Sequence, residues 1–112
     1  MPTIFTKIVN REIPASIVYE DEHCLAFRDV RPQAPTHVLV IPKREIASVD
    51  ALGPGDAELL GHLWLTIPKI AQQEGLSGGY RVVVNNGADA GQTVDYIHFH
   101  ILGGRQLTWP PG

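Results

Sequence analysis

The chain has 112 residues, 44% of them hydrophobic and 19% charged, with nine Lys and Arg against twelve Asp and Glu for a net charge of −3. That composition excludes a disordered, collagen-like or low-complexity chain, and the acidic balance offers no broad attraction for nucleic acid or an acidic membrane. A small anion held by backbone N–H groups and a few side chains remains compatible with it.

The length predicts one domain over 1–112. The lone cysteine, Cys24, excludes an internal disulfide framework and any zinc site built on cysteines. No apolar run approaches a membrane span of about 18 residues, and the N-terminus, with Lys7, Arg11 and Glu12 among its Ile and Val, offers no signal-peptide core. The expected location is therefore the cytoplasm, with neither membrane nor nucleic acid as partner.

In chain order, Thr3 to Asn10 sets Ile4, Phe5, Ile8 and Val9 on one helical stripe, with Thr3 as cap and Pro14 preventing continuation. Ser16 to Tyr19 and Cys24 to Arg28 flank Glu20-Asp21-Glu22-His23 and read as a hairpin. After the Arg31-Pro32-Gln33-Ala34-Pro35 loop, Thr36 to Ile41 is a strand that Pro42 ends. Pro54 and Asp56 suit a helix start, and Leu59, Leu60, Leu63, Ile67, Ile70 and Ala71 form its apolar face. Pro68 should kink this helix, and Gly75 or Gly78-Gly79 should stop it. Tyr80 to Val84 and Asp95 to Leu102 complete about five strands, joined by a polar loop from Asn85 to Gly91, and a tail runs from Arg105 to Gly112. The expected class is α+β: a five-stranded antiparallel sheet and two helices, with the helices on one side.

The last strand carries the unusual pattern. Period two puts Ile97, Phe99 and Ile101 on an ordinary core face, and Tyr96, His98, His100 and Leu102 on the other. Two imidazoles share a side of one strand, directly after the run from Asn85 to Thr93, whose N–H groups, amide and hydroxyl can face an anion. That combination suggests a phosphate site with an adjacent nucleophile or base. The same histidines with His37 could instead supply three metal ligands, although no carboxylate or cysteine is evident to complete the set.

The run Gly91-Gln92-Thr93-Val94, then His98-Phe99-His100-Ile101-Leu102-Gly103-Gly104-Arg105-Gln106, then Trp109-Pro110-Pro111-Gly112 resembles the histidine-triad (HIT) nucleotide-binding superfamily, specifically its Hint branch. Thr3-Ile4-Phe5, Ile13-Pro14-Ala15, Leu25-Ala26-Phe27, Pro32 to His37, Val40 to Lys43 and Gly61-His62-Leu63 extend the similarity over essentially the whole chain. The family signature alternates three histidines with apolar residues. His98 and His100 match the second and third, and Tyr96 stands where the first belongs. Asp95 replaces a residue that is commonly aromatic.

The resemblance implies a purine nucleoside phosphoramidase acting without a cofactor. His98 would be the nucleophile that attacks the α-phosphorus. His100 and Thr93 would contact the phosphate and leaving group, and His37 would be the buried partner of the first triad position, left without its usual bond. Asp29 would accept the ribose hydroxyls. Ile4, Phe5, Ile8, Ile13, Phe27 and Val30 would surround the purine, with Asn85, Gly91, Gln92 and Val94 on the phosphate and ribose side. His23 and His62 receive no role, and Cys24 reads as a small buried hydrophobe. The resemblance also implies a two-fold dimer with one ten-stranded sheet, in which the tail from 105 to 112, with Trp109, reaches the partner's site. Tyr96 is expected to bond His37 in a new geometry or displace it, depressing turnover. The competing readings are a nucleotide-binding module with little turnover and a metal-binding domain.

Overall fold

The computed structural model describes residues 2–112. Its elements are α1 (Ile4–Val9), β1 (Ile17–Glu20), β2 (Cys24–Arg28), β3 (Thr36–Pro42), α2 (Ala57–Gln73), β4 (Tyr80–Val84) and β5 (Phe99–Gly103). The five strands form one sheet in the order β1-β2-β3-β5-β4, and every neighbouring pair is antiparallel. The expected α+β class and strand count hold.

Local chemistry explains the element ends. The Thr3 hydroxyl accepts the N–H groups of Phe5 and Thr6, and the Thr6 hydroxyl accepts that of Thr3, a reciprocal cap on α1. Pro54 opens a short 3₁₀ turn, Pro54–Asp56, which leads into α2. α2 continues through Pro68 to Gln73, and just beyond it Gly75 has a φ of 73° that suits glycine. There the Leu76 N–H donates to the Ala71 carbonyl at 2.9 Å and the Gly75 N–H to Gln72 at 3.1 Å, closing the helix end.

The helices lie on opposite faces of the sheet, not on one side as expected. Leu63, Ile67 and Ile70 of α2 pack with Cys24, Ala26, Val38, Val40, Phe99 and Ile101. Phe5 and Ile8 of α1 pack on the other face, with Leu25, Phe27, Leu39, Ile41 and Tyr96. The reason is legible in β2 and β3. Cys24 to Phe27 and His37 to Pro42 are buried without interruption, the pattern of strands covered on both faces. α1 has only six residues, so it covers part of its face and leaves the remainder as a cleft.

The last strand is shorter than expected, beginning at Phe99 and not at Asp95. Its pairing stops at Phe99 on both sides, opposite Val40 of β3 and Val84 of β4. Beyond that point Ile97 donates its N–H to the Ile46 carbonyl, outside the ladder, and Tyr96 donates to Val94. The alternation of faces survives the loss of pairing, because Ile97 stays with the α2 core and Tyr96 with the α1 core.

A polar tie joins the β1–β2 turn to α2. Asp21 Oδ1 accepts the N–H groups of His23 (2.8 Å) and Cys24 (2.9 Å). Its Oδ2 accepts His62 Nε2–H at 2.7 Å and the Tyr19 hydroxyl at 3.0 Å. Burial pushes the Asp21 carboxyl upward, but these donors together hold it well below the usual carboxylate range.

Candidate active site

The uncovered part of the α1 face forms a cleft of about 470 Å³. Ile4, Phe5, Ile8, Ile13, Phe27, Val30, Leu39 and Val94 supply its apolar wall, and Asp29, Thr93, His98 and His100 its polar groups. An apolar wall with a few convergent polar groups is the usual form of a small-molecule site. A cleft of about 540 Å³ elsewhere is bounded by charged and polar groups of the β1–β2 turn, by Lys43 and Arg44 after β3, and by α2, and none of these histidines lines it.

Hydrogen-bond partners fix the state of each imidazole. His98 Nδ1 lies 2.7 Å from the Tyr96 carbonyl, which accepts only, so Nδ1 carries the proton and Nε2 keeps its lone pair. The His98 ring stands edge-on to Phe5, centroids 5.1 Å apart, and Phe5 to Phe27 at 5.5 Å, which hold the ring by packing. The Gln33 N–H donates to His37 Nδ1 at 3.0 Å, so the His37 proton sits on Nε2. His37 Nε2–H then donates to His100 Nδ1 at 2.9 Å. That places the His100 proton on Nε2, a buried atom with no hydrogen-bond partner among the described residues. Starting from one backbone N–H, the chain of donors ends as an N–H beside His98, whose ring centroid is 5.0 Å from that of His100.

Burial keeps this chain neutral. It pushes His100 down to about 4, with the neighbouring His98 and His37 contributing. Burial also lowers His37, opposed by the Asp29 carboxylate, whose Oδ2 is 3.4 Å from His37 Nε2. Asp29 Oδ1 accepts the Arg31 N–H at 2.8 Å, and Asp29 donates its own N–H to the His37 carbonyl at 3.0 Å. Arg105 steadies the same loop by donating to the Gln33 carbonyl at 2.9 Å.

The HIT domain family profile matches residues 10–107. The chain belongs to the HIT domain family. It is 62% identical over 110 residues to an uncharacterized HIT-like protein of Synechococcus elongatus, covering 98% of this chain and 96% of that one. It is 52% identical over 113 residues to the 14 kDa zinc-binding protein of Zea mays, covering 99% and 88% respectively. Among solved structures, the HIT family hydrolase of Legionella pneumophila matches with a TM-score of 0.97 and 53% identity, over 99% of this chain and 100% of that one.

Within this HIT fold most of the expected site residues converge, and some do not. Ile4, Phe5, Ile8, Ile13, Phe27, Asp29, Val30, Thr93, Val94, His98 and His100 line the cleft, and His37 stands behind His100. Asn85, Gly91 and Gln92 do not line it. The Gln92 amide is engaged internally, donating to the Ala47 and Val94 carbonyls and accepting the Gly87 N–H, so it braces the loop. Trp109 is exposed, on a tail tied to β4 by the bond from Arg81 to the Thr108 carbonyl.

The expectation for Tyr96 and His37 is corrected. His37 is not left without a partner, because it bonds His100, and Tyr96 neither bonds nor displaces it. The Tyr96 hydroxyl instead donates to the Pro42 carbonyl at the far end of β3. His37 and Pro42 lie near opposite ends of that strand, about 17 Å apart at ~3.3 Å per residue. Tyr96 is fully buried, its hydroxyl pushed up to about 12 by burial and, secondarily, by Glu45.

The expected absence of a carboxylate near the histidines is also corrected, since Asp29 gathers with His37 and His100. Cys24, read as a small buried hydrophobe, is buried as expected and also lies beside Asp21 and His62, which stand 41 positions apart in the chain. Gln33 and Arg105 escaped the sequence reading because one acts through its backbone N–H and the other on a backbone carbonyl.

Proposed function

We propose that the protein is a nucleotide-binding hydrolase of the purine nucleoside phosphoramidase type, with His98 as nucleophile. One observation carries the reading. The Tyr96 carbonyl holds the proton of His98 on Nδ1, leaving Nε2 nucleophilic beside the His100 N–H. His98 Nε2 attacks the α-phosphorus, and the bond from phosphorus to the departing amine breaks. Thr93 and His100 donate hydrogen bonds to the phosphoryl oxygens, and the departing nitrogen takes its proton from His100 Nε2, which the attacking water of the next step gives back. Water then attacks the nucleotidyl-histidine, releasing the nucleoside monophosphate and restoring His98. The hydrolase name of the Legionella relative supports the reaction class. The apolar wall receives the purine, and Asp29 accepts the ribose hydroxyls.

Replacement tests the assignment. His98→Ala is expected to abolish hydrolysis of an adenylated amine while leaving AMP affinity within several-fold. Asp29→Ala is expected to weaken AMP instead, since hydrogen bonds to a charged group contribute roughly 1.5–3 kcal/mol each. Undiminished turnover by His98→Ala would overturn the mechanism.

Tyr96 favours a second reading, a module that binds nucleotide but turns over slowly. We read Tyr96 as occupying the first position of the triad. It is neutral, with its hydroxyl committed to Pro42, so it gives His98 no supporting charge. The zinc-binding name of the maize relative raises metal at Asp29, His37 and His100. An ion there would break the His37–His100 bond that fixes the His100 proton. On this reading zinc at that cluster inhibits hydrolysis, and chelators leave it unchanged.

The same resemblance leads us to propose a two-fold dimer joined along β4. Its support is an edge strand with no strand paired on its outer side among the described residues, together with exposed Trp64, Leu65, Tyr80 and Trp109.

A further inference from the structure

On the α2 face, away from the histidine cleft, Asp21, Cys24 and His62 offer one carboxylate oxygen, one sulfur and one imidazole nitrogen, all within 4.8 Å of one another. They come from three elements: the β1–β2 turn, the start of β2 and the second turn of α2. The carboxylate is held from behind, because both N–H groups on Oδ1 belong to the backbone of the same turn. Its Oδ2 is thereby directed at His62. The His23 ring stands edge-on to that of His62, centroids 5.2 Å apart, and both imidazoles line the 540 Å³ cleft, which gives solvent access to His62, while Cys24 is fully buried.

We propose that Asp21, Cys24 and His62 form a binding site for a divalent cation of the zinc class. Mixed O, S and N donors suit zinc and exclude calcium and magnesium, which take oxygen ligands. Ligand bonds of about 2.0–2.3 Å in a tetrahedron place donor atoms about 3.3–3.8 Å apart. Here the three donor atoms lie within 4.8 Å of one another, with Asp21 Oδ2 and His62 Nε2 at 2.7 Å, so ligation draws the sulfur inward and parts the hydrogen-bonded pair. His23 or a water takes the fourth position. Backbone N–H groups on a ligating carboxylate are the outer support that such sites use.

Binding exchanges protons for the ion. His62 now donates Nε2–H to Asp21, so on ligation its proton moves to Nδ1 and the lone pair of Nε2 turns to the metal. The Cys24 thiol releases its proton to solvent and binds as thiolate, so at least one proton leaves for each ion bound. None of this uses His37, His98 or His100, and the site is independent of the hydrolase reading.

The test uses chelator-treated full-length protein titrated first with Co²⁺, as an optical probe, and then with Zn²⁺. One equivalent of Co²⁺ is expected to produce a thiolate-to-metal charge-transfer band in the near ultraviolet that Zn²⁺ abolishes. The band is expected to persist in His37→Asn, to vanish in Cys24→Ser, and to need at least roughly 100-fold more metal in His62→Gln, by comparison with outer-support losses of 10–100-fold. His62 is half-exposed, so its variant keeps the test informative should Cys24→Ser fold poorly. Hydrolysis should be unchanged in His62→Gln. Absence of the band in the wild type, or equal metal affinity in His62→Gln, would overturn the site and leave the Asp21–His62 pair as a structural tie alone.

Discussion

At neutral pH His100 offers an anion an Nε2–H from an uncharged ring, which requires that the proton sit on Nε2 and that the ring take up no second one. The bond from His37 meets the first condition, and burial, which brings His100 down to about 4, meets the second. The same shift links pH to stability. An unfolded chain protonates this ring near 6.5, whereas the folded protein resists protonation until about 4. The contribution is therefore complete above about pH 6.5 and is lost as pH falls toward 4. Urea midpoints measured across that window should fall with pH, and the slope should be shallower in His100→Asn; equal slopes would contradict the account. At Tyr96 the orienting bond to His98 comes from the backbone carbonyl, which any residue supplies. Tyr96→His should therefore raise the single-turnover rate by no more than about tenfold, or ~1.4 kcal/mol. A hundredfold gain would show that an imidazole here takes part in the chemistry. The sequence showed His98 and His100 on one face through simple alternation. It could not show the partner of His37, because that bond depends on the register of β3 against β5, in which His37 pairs with Leu102 and Leu39 with His100.

At the scale of elements, α2 carries one evident fault. Pro68, on the exposed face of the helix, removes the N–H that would donate to the Trp64 carbonyl. Pro68→Ala restores that bond and should stabilise the protein by about 1–3 kcal/mol, less what proline gains by restricting the unfolded chain. The denaturation midpoint measures it, and a lower midpoint would mean that the proline supports packing. Strand and helix positions followed closely from punctuation: Thr3, Pro42 and Gly75 each mark an end or lie within two residues of one. Two features were obscured for physical reasons. The alternation from Tyr96 to Leu102 looks like one strand, but ladder pairing ceases at Phe99, where Ile97 turns its N–H to Ile46. The opposite placement of the helices was encoded in the unbroken apolar runs of β2 and β3. Hairpin-length connections alone do not distinguish one covered face from two.

For the whole molecule, the cleft exists because a short α1 covers only part of a sheet face whose other side is sealed by α2. The β4 edge and the exposed Trp109 lead outward from this unit. Light scattering at micromolar concentration should give the mass of a dimer, and a monomer would refute the proposed assembly. Removing Gln106 to Gly112 should lower turnover and alter leaving-group preference more than it lowers the melting temperature, since the tail contributes little to either core cluster. The most direct test of the central claim is a rapid-quench single turnover with an adenylated amine, followed by mapping of the modified residue. The account predicts AMP release through a transient adenylyl group bonded to a nitrogen of His98, absent in His98→Ala. An adduct on another residue, or AMP release at the wild-type rate by His98→Ala, would contradict it.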